Sequence, residues 1–370
     1  MTSHDHALGA NAFRDPRTAR ALVRRIRDLA DRTGTAALME VCGTHTVALF
    51  RTGVRSLLRD SVNLLSGPGC PVCVTPTEII DQAVAYALRP DTMVATYGDM
   101  MRVPGTESSL EQARAAGGAV RMVYSPTDAL ALAARNPGAQ VIFIGVGFET
   151  TAPTAAAAVL RAHNQGIDNF MVLTAHKLIP PVLHALAAMP GLKLDGLICP
   201  GHVSAIIGIE PYEQVAAQHG IPCVVTGFEP LDLLQGILML LEQKHAGRAV
   251  AEIQYTRVVR PNGNARARDI LYQVFESSDS AWRGVGVLPG SGLAFRHEFA
   301  HFDAAARLPL QIPPSAEPPG CRCADVLIAA IQPPQCPLFA KHCTPDNPVG
   351  PCMVSSEGSC AAHFKYGEHA

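Results

Sequence analysis

Two cysteines three positions apart, Cys70 and Cys73 in Ser66-Gly-Pro-Gly-Cys-Pro-Val-Cys73, are the first residues in the chain whose types and spacing can do chemistry. Pro71 stiffens the link so that both thiols face one point, and Gly67, Pro68 and Gly69 leave backbone N–H groups open to a ligand. Such a pair serves as a redox dithiol, as an exposed metal perch, or as half of a zinc knuckle. The chain has no second C-x-x-C to complete a knuckle, which favours the first two. Cys42 and His45 share the loop Cys42-Gly-Thr-His-Thr46. A cysteine is ordinarily an apolar filler and a loop histidine a hydrogen-bonding residue. Beside glycine and two threonines at a helix start neither needs burial, and a functional role stands equally with the bland one.

Three further residues carry two readings each. Glu149, in Gly147-Phe-Glu-Thr-Thr151, suits the N-terminus of the Ala-rich helix that follows at least as well as it suits catalysis. Asp99 and Arg102 either act or pair with one another. His202, in Pro200-Gly-His-Val-Ser204, follows a strand and is a candidate ligand or proton carrier. Cys199 and Cys223 lie in apolar strands and read as core.

Six of the eleven cysteines (Cys321, Cys323, Cys336, Cys343, Cys352 and Cys360) crowd the proline-rich C-terminal stretch. Such a stretch builds no regular core alone and needs a staple. Disulfides are disfavoured without an export signal, and the paired knuckles of a zinc site are absent. Widely spaced single cysteines, one followed by Pro337, fit an iron–sulfur cluster better than zinc or unliganded thiols. Chemistry does not say which four of the six would bind.

The elements that hold these residues alternate. A helix opens at Asp15-Pro16 and runs to about Asp31. Strand Ala36–Val41 leads into the Cys42 loop, and strand Val62–Leu65 leads into the Cys70 loop. Thr75-Pro-Thr-Glu78 reads as a capping box with proline at the first helical position. The positive end of that helix lowers a nearby thiol's pKa. Strands follow at Thr92–Thr96, Ala119–Tyr124, Gln140–Ile144, Phe170–Leu173, Gly196–Cys199 and Pro222–Val225, separated by helices, with a last amphipathic helix at Leu231–Gln243. Strict alternation predicts parallel sheets covered on both faces. The count exceeds one sheet, so the expected fold is α/β: two parallel-sheet domains around a cleft, dividing near residues 125–140, plus a small irregular, cysteine-rich iron–sulfur domain. The expected spans are 12–136, 137–250 and 251–370, and a strand-like Ile253–Val259 opens the last.

With 48% hydrophobic and 17% charged residues over 370 positions, the composition is that of a globular protein. A net charge of −2, a pI near 6.7 and a single tryptophan argue against nucleic-acid and membrane-surface partners. No apolar segment at Met1–Ala10 reads as a signal peptide, and no run is long enough to span a membrane, so a cytoplasmic location is expected. No nucleotide-binding glycine fingerprint is present.

Cys42-Gly-Thr-His-Thr46, Gly67-Pro-Gly-Cys-Pro-Val-Cys73, Gly147-Phe-Glu-Thr-Thr151, Pro200-Gly-His-Val-Ser-Ala-Ile-Ile-Gly208 and Cys352-Met-Val-Ser-Ser-Glu-Gly-Ser-Cys360 together resemble the HypD family, which matures [NiFe] hydrogenases. The resemblance implies a scaffold for the Fe(CN)2CO part of the hydrogenase active site. It implies a [4Fe–4S] cluster on cysteines spaced C-x14-C-x6-C-x16-C, here Cys321, Cys336, Cys343 and Cys360, with Cys323 and Cys352 spare. It further implies iron held by Cys42 with His45 close by, a thiol–disulfide couple at Cys70 and Cys73, and two partners. These are the small chaperone HypC, which shares the iron, and HypE, which delivers cyanide. Two rival readings remain: a stand-alone, iron–sulfur-dependent protein disulfide reductase, and a zinc-stapled binding module.

Overall fold

The computed structural model describes residues 10–367, so the reading of Met1–Ala10 falls, Ala10 apart, outside it. The first helix forms where the sequence signals it. Asp15 Oδ2 accepts from Thr18 N at 2.8 Å, Pro16 fills the first helical position, and Pro16–Thr33 buries Val23, Ile26 and Ala30. Nine strands then alternate with helices: β1 Ala36–Glu40, β2 Val62–Ser66, β3 Thr92–Thr96, β4 Val120–Met122, β5 Gln140–Gly145, β6 Phe170–Thr174, β7 Gly196–Pro200, β8 Cys223–Thr226 and β9 Ala251–Ile253. They form two wholly parallel sheets, in the orders β2-β1-β7-β8-β9 and β4-β3-β5-β6. Val141–Ile144 and Leu197–Cys199 have no exposure, as expected of strands covered on both faces.

The expected boundary near residues 125–140 does not coincide with a change of sheet. The first sheet is built from two separate stretches, 36–66 and 196–253, and the second from 92–174 between them. Each strand–loop–helix unit resembles the next in sequence, whereas sheet membership depends on distant pairing, here Leu38 beside Gly196. Both orders reverse direction once, between β1 and β7 in one sheet and between β3 and β5 in the other. In open α/β sheets the loops leaving such a reversal splay apart and form a crevice.

Beyond β9 the expected strand stops at Ile253, and Val259 N bonds back to Tyr255 O in a turn. A helix at Ala265–Val274, capped by Asn264 Oδ1 on Ala267 N at 3.1 Å, runs into an antiparallel hairpin, β10 Phe275–Trp282 and β11 Gly286–Phe295. The hairpin lies against the end of the second sheet: Leu178 N donates to Ser291 O at 2.9 Å. Trp282 is its anchor, 2% exposed, stacked 6.1 Å from Phe148 and donating from Nε1 to Ser291 Oγ at 2.9 Å. Replacing Trp282 by alanine is expected to cost roughly 3–5 kcal/mol, read by urea unfolding followed by circular dichroism. A cost under about 1 kcal/mol would mean the hairpin contributes little to the fold.

The cysteine-rich stretch forms only short helices, Cys323–Leu327, Pro351–Val354 and Ser359–Tyr366, and packs directly on the sheet domains. Asp99 and Arg102 do not pair with one another. Asp99 Oδ2 accepts from Ser355 Oγ and Ser356 N, both at 3.1 Å, and Arg102 Nη2 donates to Pro345 O at 2.6 Å. Both side chains tether the C-terminal stretch to the loop after β3. Among the described residues no helix is long and apolar enough to cross a membrane.

Candidate functional site

The loops leaving both sheet reversals converge on one cavity of about 320 Å³. Its wall takes Cys42 from the β1 loop, Pro71 and Val72 from the β2 loop, and Tyr97 from the β3 loop. Phe148 and Thr151 come from the β5 loop, His202 from the β7 loop, and Glu357 from the C-terminal stretch. Two glycines permit this approach. A Cβ on Gly69 would lie 2.1 Å from Cys42 N, and one on Gly43 would lie 2.5 Å from Glu357 O.

Cys42 precedes the helix Gly43–Arg51 and is 9% exposed. Burial, reinforced by the Glu357 carboxylate, pushes its thiol up to about 12. His45 is fully buried, contrary to the open loop position expected for it. Its Nε2 lies 3.1 Å from both Thr226 O and Gly227 O, which makes Nε2 the protonated nitrogen and leaves Nδ1 without a partner. Burial holds the ring down to about 4, so it is neutral near pH 7. The reason for its burial is the β8 loop, which closes over it: Phe228 stacks on His45 at 4.5 Å and, with its other neighbour, on the exposed His202 at 4.1 Å. His202 thus reaches the cavity, while His45 braces the Cys42 helix from behind. Partial burial lowers the His202 pKa against the pull of Glu357.

Cys70 and Cys73 form a disulfide, Cα–Cα 5.2 Å, with 3% and 0% exposure. Cys70 caps an unexpected one-turn helix, Pro71–Val74, its Sγ accepting from Cys73 N at 3.2 Å. This turn displaces the capping box expected at Thr75. Thr75 Oγ1 bonds back to Pro71 O at 2.8 Å, and the next helix, Thr77–Ala87, has no side-chain cap. Pro71 and Val72 put the disulfide directly behind the cavity wall.

Glu149 is 2% exposed and outside the cavity lining. It serves a helix terminus, though not the one expected. Oε1 accepts from Ile179 N at 2.9 Å and so caps Ile179–Ala187, two elements further on. Burial raises its carboxyl to about 7. Cys199 and Cys223 are core, both without exposure.

All six C-terminal cysteines line a second, smaller cavity together with Phe339 and Met353. Cys323 Sγ and Cys352 Sγ lie 2.6 Å apart. Among the described residues no group of three or more His, Cys, Asp or Glu side chains stands in a metal-holding arrangement. The helices carrying Cys323 and Cys352 pack on Pro71–Val74, which carries Cys73. Arg283 fills the gap between them. It donates from Nη2 to Thr75 O at 2.9 Å, pairs with Glu317, and stands close enough to Cys323, Cys352 and Cys321 to sense their charge.

Two residues of this site escape a sequence reading. Glu357 receives a 2.6 Å hydrogen bond from Thr44 Oγ1 across 313 positions, and no spacing rule connects them. Glu40, fully buried and accepting from Thr46 Oγ1 at 2.8 Å, did leave a signal: it is the lone carboxyl in the otherwise apolar strand Ala36–Val41.

The chain resembles known proteins along nearly its whole length. Residues 17–367 match the sequence model of the family described as HypD, "Hydrogenase formation hypA family". The chain is 48% identical over 362 residues to "Hydrogenase expression/formation protein HupD" of Azotobacter chroococcum mcd 1, covering 96% of each chain. It is 48% identical over 362 residues to "Hydrogenase maturation factor HypD" of Azotobacter vinelandii, with the same coverage. It is 43% identical over 363 residues to the protein of that name from Escherichia coli (strain K12), again over 96% of each. The chain belongs to the HypD family.

Proposed function

We propose that this chain is a [NiFe] hydrogenase maturation factor on which the Fe(CN)2CO unit is assembled, with the iron carried as cargo by Cys42. The observation behind this reading is the cavity itself, where a thiol, an imidazole and a carboxylate (Cys42, His202, Glu357) converge at the meeting point of both sheet reversals. A soft thiolate suits low-spin iron carrying strong-field ligands. His202 and Glu357 stand ready to hold or move a proton beside the diatomic ligands, and His45 fixes the helix that presents Cys42. The relatives' names carry the hydrogenase connection.

Cys321, Cys336, Cys343 and Cys360 would hold a [4Fe–4S] cluster. Six soft donors around one small cavity suit such a group chemically, although the thiols are not drawn into a ligand arrangement. When bound, the cluster supplies single electrons. Cys323 and Cys352 then form a second thiol pair in the wall of that cavity, on the helices that pack against the Cys73-bearing turn Pro71–Val74. Opening the Cys70–Cys73 disulfide takes two electrons and two protons and yields two thiols beside the cargo site. Family membership suggests a HypC-type small chaperone and a HypE-type cyanide donor as partners. Burial of Cys70 and Cys73 weighs against the rival disulfide reductase, because a protein disulfide has no path to them.

The test is an infrared spectrum of the protein purified without oxygen from cells making hydrogenase. Bands of iron-bound cyanide and CO are expected, and are expected to vanish in Cys42→Ala protein that keeps its far-UV circular dichroism and its visible absorption. Wild-type protein that retains its cluster and partner yet lacks such bands would overturn the reading and favour the reductase.

A further inference from the structure

Tyr97 and Thr150 enter the Cys42 cavity from the other sheet. Cys42 and His202 leave the reversal of the first sheet, after β1 and β7, whereas Tyr97 and Thr150 leave the reversal of the second, after β3 and β5. Much of the remaining lining is apolar, with Val41, Val72, Val146, Phe148 and Val203. Four lining residues carry hydroxyls, and two of these are engaged. Thr44 Oγ1 donates to Glu357 Oε1 at 2.6 Å, and Thr151 Oγ1 turns back to Phe148 O at 3.4 Å. The hydroxyls of Tyr97 and Thr150 make no hydrogen bond among the described residues. Both residues are held in place. The Tyr97 ring packs edge-on against the core residue Phe143, centroids 5.5 Å apart. Thr150 sits in the turn that Thr151 N and Ala152 N close on Phe148 O, both at 3.1 Å.

Free donors in a largely apolar cavity suit a ligand with few, well-placed acceptor atoms. The two kinds of diatomic ligand on the cargo differ in that respect. Iron-bound cyanide carries negative charge and keeps a nitrogen lone pair directed away from the metal, whereas the oxygen of bound CO is a poor acceptor. Resting on the cargo reading above, we propose that Tyr97 and Thr150 each donate a hydrogen bond to a cyanide nitrogen of the unit held by Cys42, and that the apolar wall takes CO. Two free hydroxyls match two cyanides. Hydrogen bonds to a charged acceptor are the stronger kind, and two of them from the second sheet orient cargo anchored on the first.

Infrared spectra of the full chain purified without oxygen test it, with Tyr97→Phe and Thr150→Val as variants that keep the shape and lose the hydroxyl. Withdrawing a donor from a cyanide nitrogen lowers the cyanide stretching frequency. Each variant is expected to shift the cyanide bands to lower wavenumber, with a smaller movement of the CO band, and the double variant is expected to shift them further. Cyanide bands at their wild-type positions in both variants would overturn the proposal and leave the cargo reading intact. Cyanide and CO bands that move by equal amounts would also overturn it, since that is a change of field at the iron and not the loss of a donor to cyanide. Wild-type protein without such bands would overturn the cargo reading itself, and the proposal with it.

Discussion

Gly69→Ala protein is expected to lose the Cys42 site altogether while most of the fold survives. The added methyl would meet Cys42 N at 2.1 Å, Cys42 Cα at 2.4 Å and Val41 C at 2.4 Å, all backbone atoms. Nothing flexible can yield there. The two loops are also tied by Gly43 N donating to Gly69 O at 2.9 Å, so separating them breaks that bond as well. Overpacking of this kind costs about 1–3 kcal/mol or more. Any route by which the loops part moves Cys42 away from His202 and Glu357. Gly138→Ala is the control: nothing lies within 4 Å of its added methyl, and a change within about 0.5 kcal/mol is expected. Urea unfolding and cyanide and CO infrared bands, measured on both variants, decide the matter. A Gly69→Ala protein with wild-type stability and wild-type bands would show that the loops do not meet as described.

Stability is expected to peak near pH 6.5, for a reason visible in five buried groups. His45, His176 and His363 are held by burial to about 4, 3 and 3, below their ordinary 6.5. Below pH 6.5 the unfolded chain binds protons that these folded rings refuse. Their contribution is therefore present above pH 6.5 and lost as pH falls toward 4 and 3. Glu149 and Glu40 act the other way, raised by burial to about 7 and 8 from an ordinary 4.5. Their contribution is full below pH 4.5 and lost as pH rises through 7 and 8. Between pH 4.5 and 6.5 three histidines outweigh two carboxyls by one proton, so stability climbs by about 1.4 kcal/mol per pH unit. Above 6.5 only the carboxyls of this group act, and stability falls. Glu149→Gln keeps the acceptor for Ile179 N and removes one of them, so the fall between pH 6.5 and 8 should shrink by roughly 0.8 kcal/mol. Urea midpoints at pH 5, 6.5 and 8 read this. A wild-type midpoint that keeps rising to pH 8 would mean both carboxyls ionise normally in the folded protein.

Local structure was legible in the sequence because it depends on neighbours. β3 falls at Thr92–Thr96 as read, and the first helix opens at Asp15 and Pro16, where an acceptor and a fixed φ are encoded side by side. Sheet membership was not, since β7 chooses β1 through side chains far away in the chain. The hairpin was hidden for a different reason. β10 reads Phe-Glu-Ser-Ser-Asp-Ser-Ala-Trp, polar or small between two aromatics, and only its buried ends Phe275 and Trp282 declare a core face. At the site, Cys42, Cys70, Cys73 and His202 follow strands and were found by that rule. His45 and Glu149 share those loops yet turn inward, one to brace a helix and the other to cap one. A loop position does not reveal which way a side chain faces.

The bond between Thr44 and Glu357 also has a consequence in time. A ribosome makes roughly 5–20 residues per second, so the 313 positions between them represent about 15–60 s of synthesis. During that interval the Cys42 thiol has emerged without the segment that closes over it. The first strand made waits for nearly the last helix, and a chain truncated before Glu357 carries an open Cys42 cavity rather than a weakened one.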